Sequence, residues 1–228
     1  MFVPERNSEE KIRLKKLADQ KIIKKIGSSS NLIKIFTWFY STVINPLLSF
    51  FKKNTFKVAF AILGFIFLFK IGEAFLGRMS LVFYKEIGFS KTDIALYSKG
   101  IGWLTTVTFT LLGGLFAVRM GLIKAMFVSG ILMASTNIMF SILAWVGNSE
   151  VFFAFTVLID DLAAAFATVA FVGFISALVD RNYTATQYAL LASIGTAGRT
   201  LFASSSGMMV DWLNGNWIIF FIVTALMV

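Results

Sequence analysis

Six ionisable side chains stand deep inside long apolar stretches of this 228-residue chain: Lys70, Glu73, Lys99, Asp160, Asp161 and Arg199. Charge at that depth is costly in hydrocarbon, and it is kept where it faces a partner or a water-filled cavity. Three cations balance three anions. Such a set suits the lining of a shared polar site, with carboxylates able to carry protons and cations able to contact a solute.

Spacing sorts the six. Lys70 and Glu73 are i, i+3 on one helix face and can neutralise each other, which makes Lys70 an ion-pair candidate. Glu73 is the leading proton carrier if it faces a cavity. Asp160 and Asp161 are adjacent, so they point about 100° apart around a helix and cannot both aim into one space. One of them is expected to pair with Arg199 or Lys99 while the other titrates. Arg199 reaches neither membrane edge easily, whereas Lys99 is close enough to one to snorkel. Asn137 adds a neutral hydrogen-bonding group. Thr105, Thr106, Thr108 and Thr110 crowd one stretch, where each hydroxyl can bond its own helix backbone.

Other chemistry is excluded by composition. No Cys is present, which removes thiol and Fe–S chemistry, and no His, which removes the usual metal ligand and proton shuttle. No phosphate loop, metal-spaced cluster or nucleophile–base pair occurs. No enzyme activity, metal or cofactor is expected.

The elements that must position these groups are membrane helices. Hydrophobic residues make up 57% of the chain, charged ones 14%, and mean hydropathy is +0.80. These values lie outside the range of soluble domains. Spans are expected at about 55–83, 93–120, 122–146, 151–179 and 184–213. A last apolar stretch, 216–228, is shorter than the about 20 residues needed to cross hydrocarbon. The fold class is therefore an all-α polytopic membrane protein, with a bundle over 55–228. Ser90 and Asp93 form a capping box with Phe89 and Ile94 as its staple, and Thr184 and Gln187 form another. Behind Thr184, small residues recur every four positions (Ala185, Ala189, Ser193, Ala197; and Ala192, Thr196, Thr200, Ser204), a pattern that lets helix backbones approach in lipid. At a rise of about 1.5 Å per residue, Lys70 and Arg199 lie about 22 Å from the inner edge, Lys99 about 21 Å and Asp160 about 17 Å. Four helices thus place charge in one layer.

Charge sets the orientation. Residues 1–57 hold 12 Lys and Arg against 4 Asp and Glu, a net of +8 within a total of +9. A basic block beside apolar spans reads as a cytoplasmic flank. Residues 1–30 are expected to be a basic tail and 31–54 an amphipathic segment lying at the interface, interrupted at Pro46. The expected location is a bacterial inner membrane, multi-pass, with the N-terminus cytoplasmic and no nucleic-acid partner.

Several segments carry a family resemblance. GGLFAVRMG (113–121) resembles the loop motif of major facilitator transporters, with Val118 in place of the usual Asp. KIGEAF (70–75), YSKGIG (97–102), TATQYALLASIGTAGR (184–199) and INPLLSFFKKN (44–54) are similar to the C-terminal half of the AmpG-type muropeptide permeases. Glu73 replaces the family's more usual Asp. Asp160-Asp161 and the alanines 163–167 replace a Glu-Asn pair and a glycine-rich run. The resemblance implies the C-terminal six-helix half of a major facilitator transporter with its last helix truncated. It implies proton-coupled import of anhydromuropeptides for cell-wall recycling. Lys99 and Arg199 would bind substrate carboxylates, with Asn137 beside them; Glu73, Asp160 and Asp161 would couple protons. A polar layer on one half needs a separately encoded first half or a second copy to cover it. A vestigial or scaffolding membrane fragment, and a transporter of another solute, are the alternatives.

Overall fold

The computed structural model describes residues 13, 17, 35, 37–180 and 184–228. The expected basic tail 1–30, apart from Arg13 and Leu17, lies outside the described residues, as do most of 31–36 and residues 181–183. Among the described residues every regular element is helical. They are α1 (Asn45–Lys53), α2 (Phe56–Leu68), α3 (Ile71–Ile87), α4 (Lys91–Ile94), α5 (Gly102–Met120), α6 (Leu122–Val146), α7 (Glu150–Leu178), α8 (Thr184–Trp212) and α9 (Trp217–Leu226). Two π-helical turns, Tyr40–Ile44 and Ala95–Ile101, precede α1 and α5.

Among the described residues four stretches are long and apolar enough to cross a membrane: Phe56–Ile87, Lys91–Met120, Leu122–Val146 and Glu150–Leu178. The chain is an all-α polytopic membrane protein. The expected fifth span forms the 29-residue helix α8, but its many Ala, Ser, Thr and Gly residues make it far less apolar than the other four. Its hydroxyls from Thr196 onward are satisfied inside the helix. Thr196 donates to the Ala192 carbonyl at 3.0 Å and Thr200 to the Thr196 carbonyl at 2.8 Å. Ser204 does the same to Leu201 at 2.7 Å. Back-bonding of this kind lets a hydroxyl-rich helix sit in a low-dielectric setting.

By contact the chain divides into two compact units, Met1–Ile62 with Leu178–Leu190, and Leu63–Ala177 with Leu191–Val228. In the first, Pro46 does not interrupt the helix as expected. It falls in the first turn of α1, directly after the π turn Tyr40–Ile44, and the chain stays helical through it. Lys52 and Lys53 close the helix at its C-terminal end. The buried side chain of Gln187 accepts from the Asp180 N–H at 2.6 Å and donates to the Pro46 carbonyl at 2.8 Å. Ser49 donates to the Asp180 carboxylate at 3.2 Å. Gln187, read from the sequence as half of a capping box, therefore ties α1 to the start of α8.

The second unit is held by aromatic packing. Phe83, Tyr84, Phe140, Phe153, Trp217, Phe220 and Phe221 share one buried cluster drawn from α3, α6, α7 and α9. The Phe83 and Phe221 rings meet edge to face at 4.7 Å, and Phe89 stacks on Phe153 at 4.4 Å. Such pairs contribute about 0.5–1.5 kcal/mol beyond area burial. The Ser90–Asp93 capping box is present in both directions, with Phe89 and Ile94 buried beside it. Along α9, Ser141 of α6 donates to the Ile218 carbonyl at 3.0 Å, and Thr224 donates to Asn137 at 3.1 Å.

The approach of α8 to α2 runs through a glycine, not through the predicted small-residue rows. A Cβ on Gly198 would collide with the Phe67 carbonyl, whereas one on Gly195 would press on the Phe171 ring of α7. Ala185, Ala189, Ser193 and Ala197 are exposed instead. Only a residue without Cβ allows a helix to rest on another's carbonyls.

Candidate functional site

The first long stretch is broken at its first deeply placed charge, Lys70. Lys70 has φ −97° and ψ 19°, outside helical geometry, so α2 ends at Leu68 and α3 starts at Ile71. Interrupted membrane helices are the usual backbone of solute sites. Because the chain restarts there, Glu73 falls in the first turn of α3.

Glu73 lies between two cations that differ in kind. Lys70 Nζ is 2.8 Å from Glu73 Oε2 and its side chain is 12% exposed. Arg199 Nη2 is 3.5 Å from Glu73 Oε1 and its side chain is 50% exposed. The Lys70–Glu73 pair expected from i, i+3 spacing is therefore formed. Its geometry is Coulombic, since Oε2 is buried without an aligned hydrogen bond. The aligned hydrogen bond of Lys70 goes elsewhere, to Thr168 Oγ1 on α7 at 3.0 Å. Its ammonium also lies 6.0 Å from the centre of the Phe171 ring, one turn along α7.

One aspartate of the fourth span was expected to pair with Arg199 or Lys99. Among the described residues the ion-pair partner of Arg199 is Glu73. The guanidinium lies against α3 beside Gly77, one turn beyond Glu73, 3.7 Å from where a Cβ would stand.

The two aspartates face different spaces. Asp160 lines a narrow cavity of about 10 Å³ with Gly72, Glu73, Thr136 and Asn137. That is about the space of one water molecule. Asp161 lines another cavity, of about 300 Å³, with Tyr97, Thr105 and Phe155. Thr105 Oγ1 is 2.6 Å from Asp161 Oδ2 and 2.9 Å from the Gly102 carbonyl. Thr108, by contrast, bonds only its own helix in the way its type predicts. An apolar cavity of about 490 Å³ is lined by Phe65, Phe69, Phe127, Phe174 and other residues without an ionisable side chain.

Asn137 is buried with both ends of its amide engaged. Its Nδ2 donates to the Met133 carbonyl at 2.9 Å and its Oδ1 accepts from Thr224. The side chain of Lys99 lies outside the described residues; its backbone belongs to the π turn Ala95–Ile101. The structure thus brings Lys70, Glu73 and Arg199 together and puts Asp160 on a cavity shared with Glu73. Asp161 is turned to a separate cavity. Thr168, Phe171 and Gly77 complete the cluster without any sequence signal, because contacts between distant helices leave no local pattern. No group of three or more metal-ligating side chains gathers among the described residues.

Comparison with known proteins adds the family. The transporter AmpG 4 of Rickettsia conorii is 34% identical over 200 residues, which is 86% of this chain and 46% of that protein. The anhydromuropeptide permease of Escherichia coli is 29% identical over 170 residues, 74% of this chain and 34% of that protein. The chain is a relative of the AmpG-type permeases. AmpG 3 of Rickettsia typhi, 28% identical, matches 89% of the chain and 47% of its own length. The chain therefore spans about half the length of the AmpG-type proteins it matches, in keeping with one half of such a transporter. These relatives are named transporters or permeases, not enzymes. No protein-family model matches the chain.

Proposed function

We propose that this chain is the C-terminal half of a proton-coupled transporter that imports anhydromuropeptides across a bacterial inner membrane, with its N-terminus in the cytoplasm. The observation that carries the reading is the Glu73–Arg199 pair, set at a helix break and half open on the arginine side. While Glu73 is ionised it occupies Arg199. When Glu73 takes a proton the attraction is lost, and the guanidinium can turn to a substrate carboxylate as a bidentate donor. Asp160, on the same narrow cavity, is the second carboxylate on the proton's route. Lys99 and Asp161 contribute at the neighbouring π turn. Asn137 supports the cavity wall, since both ends of its amide are already engaged. The facing half of the site comes from a first-half polypeptide or a second copy of this chain.

The test is uptake of radiolabelled anhydromuropeptide into vesicles under an imposed proton gradient. It compares the chain alone with the chain plus an AmpG-type N-terminal half. Uptake only with the added half, abolished by an uncoupler, supports a split transporter; uptake by the chain alone supports a homodimer. Absence of uptake in both, with insertion demonstrated, overturns the proposal in favour of a scaffolding or vestigial fragment.

A further inference from the structure

Two cations flank Glu73, but only one has somewhere else to be. Lys70 stands 2.8 Å from the carboxylate but also directs an aligned hydrogen bond to Thr168 and lies near the ring of Phe171, so it keeps two contacts when the carboxylate is neutral. It is also the more enclosed of the two. Arg199 has Glu73 as its ion-pair partner among the described residues, at the longer distance of 3.5 Å, and half of its side chain is exposed.

We propose that Thr168 and Phe171 form a fixed cradle for the Lys70 ammonium, so that neutralising Glu73 releases Arg199 alone. The inference deepens the function proposed above and rests on Glu73 as the group that gains and loses a proton. Thr168 is then a positioning residue. It keeps Lys70 seated through both charge states of Glu73 and leaves a single cation free for an anionic ligand. Without it, neutral Glu73 would free two cations, and the resting ion pair would have a competitor for re-forming. The cation–ring contact at 6.0 Å is at the outer limit for an attraction of this type, so the hydroxyl carries most of the hold.

Side-chain labelling of the purified full chain in detergent reads this without any transport step. Glu73→Gln stands in for the protonated acid. Phenylglyoxal labelling of Arg199 and acetylation of Lys70 by an activated ester are followed by mass spectrometry at one pH. In E73Q, Arg199 labelling is expected to rise about tenfold while Lys70 labelling stays within about twofold of wild type, the scale set by one charge-assisted hydrogen bond. Adding Thr168→Val should raise Lys70 labelling about tenfold, and Thr168→Ser in the same background should restore protection. Thr168→Ala gives the same reading if T168V does not fold. Lys70 and Arg199 rising together in E73Q, or T168V and T168A leaving Lys70 protected, would overturn the cradle. Either result is independent of uptake, so a failure of the transport assignment and a failure of the cradle are distinguishable.

Discussion

Arg199 of α8 reaches Glu73 of α3 across the bare face of Gly77, with 3.5 Å between Nη2 and Oε1. If this pair is the switch, Arg199→Leu should reduce uptake at least tenfold, the loss of about 1.4 kcal/mol or more, while leaving insertion unchanged. Arg199→Lys should not restore it, because an ammonium lacks the planar fork that grips a carboxylate with two bonds. Vesicle uptake and membrane fractionation of the two variants check both statements; normal uptake by R199L removes the role.

Gly198 is where α8 rests on the Phe67 carbonyl. Gly198→Ala should destabilise the purified protein by about 2 kcal/mol, since the obstacle is backbone and cannot swing away. Gly64→Ala is the control: nothing lies within 4 Å of its Cβ position, and Ala should be neutral or slightly stabilising there. Thermal unfolding in one detergent compares them. Equal midpoints for the two variants would refute the close approach.

The Asn137–Thr224 bond predicts a structural penalty rather than a lost solute contact. Asn137→Leu leaves the buried Thr224 hydroxyl without its side-chain acceptor, and Thr224→Val leaves Asn137 without its donor. Each should cost about 1–2 kcal/mol, and the double variant less than the sum. A double-mutant cycle on unfolding measures this. Strict additivity would show that the two residues are uncoupled.

Ser90→Ala removes the cap of α4, whose hydroxyl accepts from the Asp93 N–H at 3.1 Å. About 1 kcal/mol should be lost. Ser90→Asp should keep most of the stability, because it can serve the same N–H. Denaturant titration separates the two, and equal loss in both would discount the cap.

Much of the fold was legible, and the reasons are local. Leu122–Val146 matches the expected third span at both ends, because Gly121 and Gly147, with φ 83° and 84°, turn the chain there. Ser90 and Asp93 announced their cap, and the i, i+3 spacing of Lys70 and Glu73 announced their pair. The helix break at Lys70 was not legible: no proline or glycine pair marks it, and tertiary contacts maintain it. The π turn over Ala95–Ile101 likewise carries no sequence sign. Arg199 was singled out for its depth, but its partner was not, since Glu73 lies on another helix and the pair exists only once α3 and α8 are brought side by side. Thr168 is an unremarkable threonine until Lys70 reaches it. The Asp160–Asp161 divergence followed from helix geometry alone, while the cavities they line did not.

The interruption at Lys70 also changes what the backbone itself contributes. A continuous helix from Phe56 to Ile87 would have had its poles only at the membrane surfaces. Two helices end to end put a carbonyl pole, after Leu68, and an amide pole, before Ile71, inside the membrane-spanning stretch. Each pole is equivalent to about half an elementary charge. Glu73 sits in the first turn at the amide pole, so an anion there meets aligned peptide dipoles that no side-chain substitution can remove. The two poles are opposite in sign and adjacent, so they offset each other at a distance, and it is the place of Glu73 in the first turn of α3 that lets its carboxylate meet the amide pole at close range.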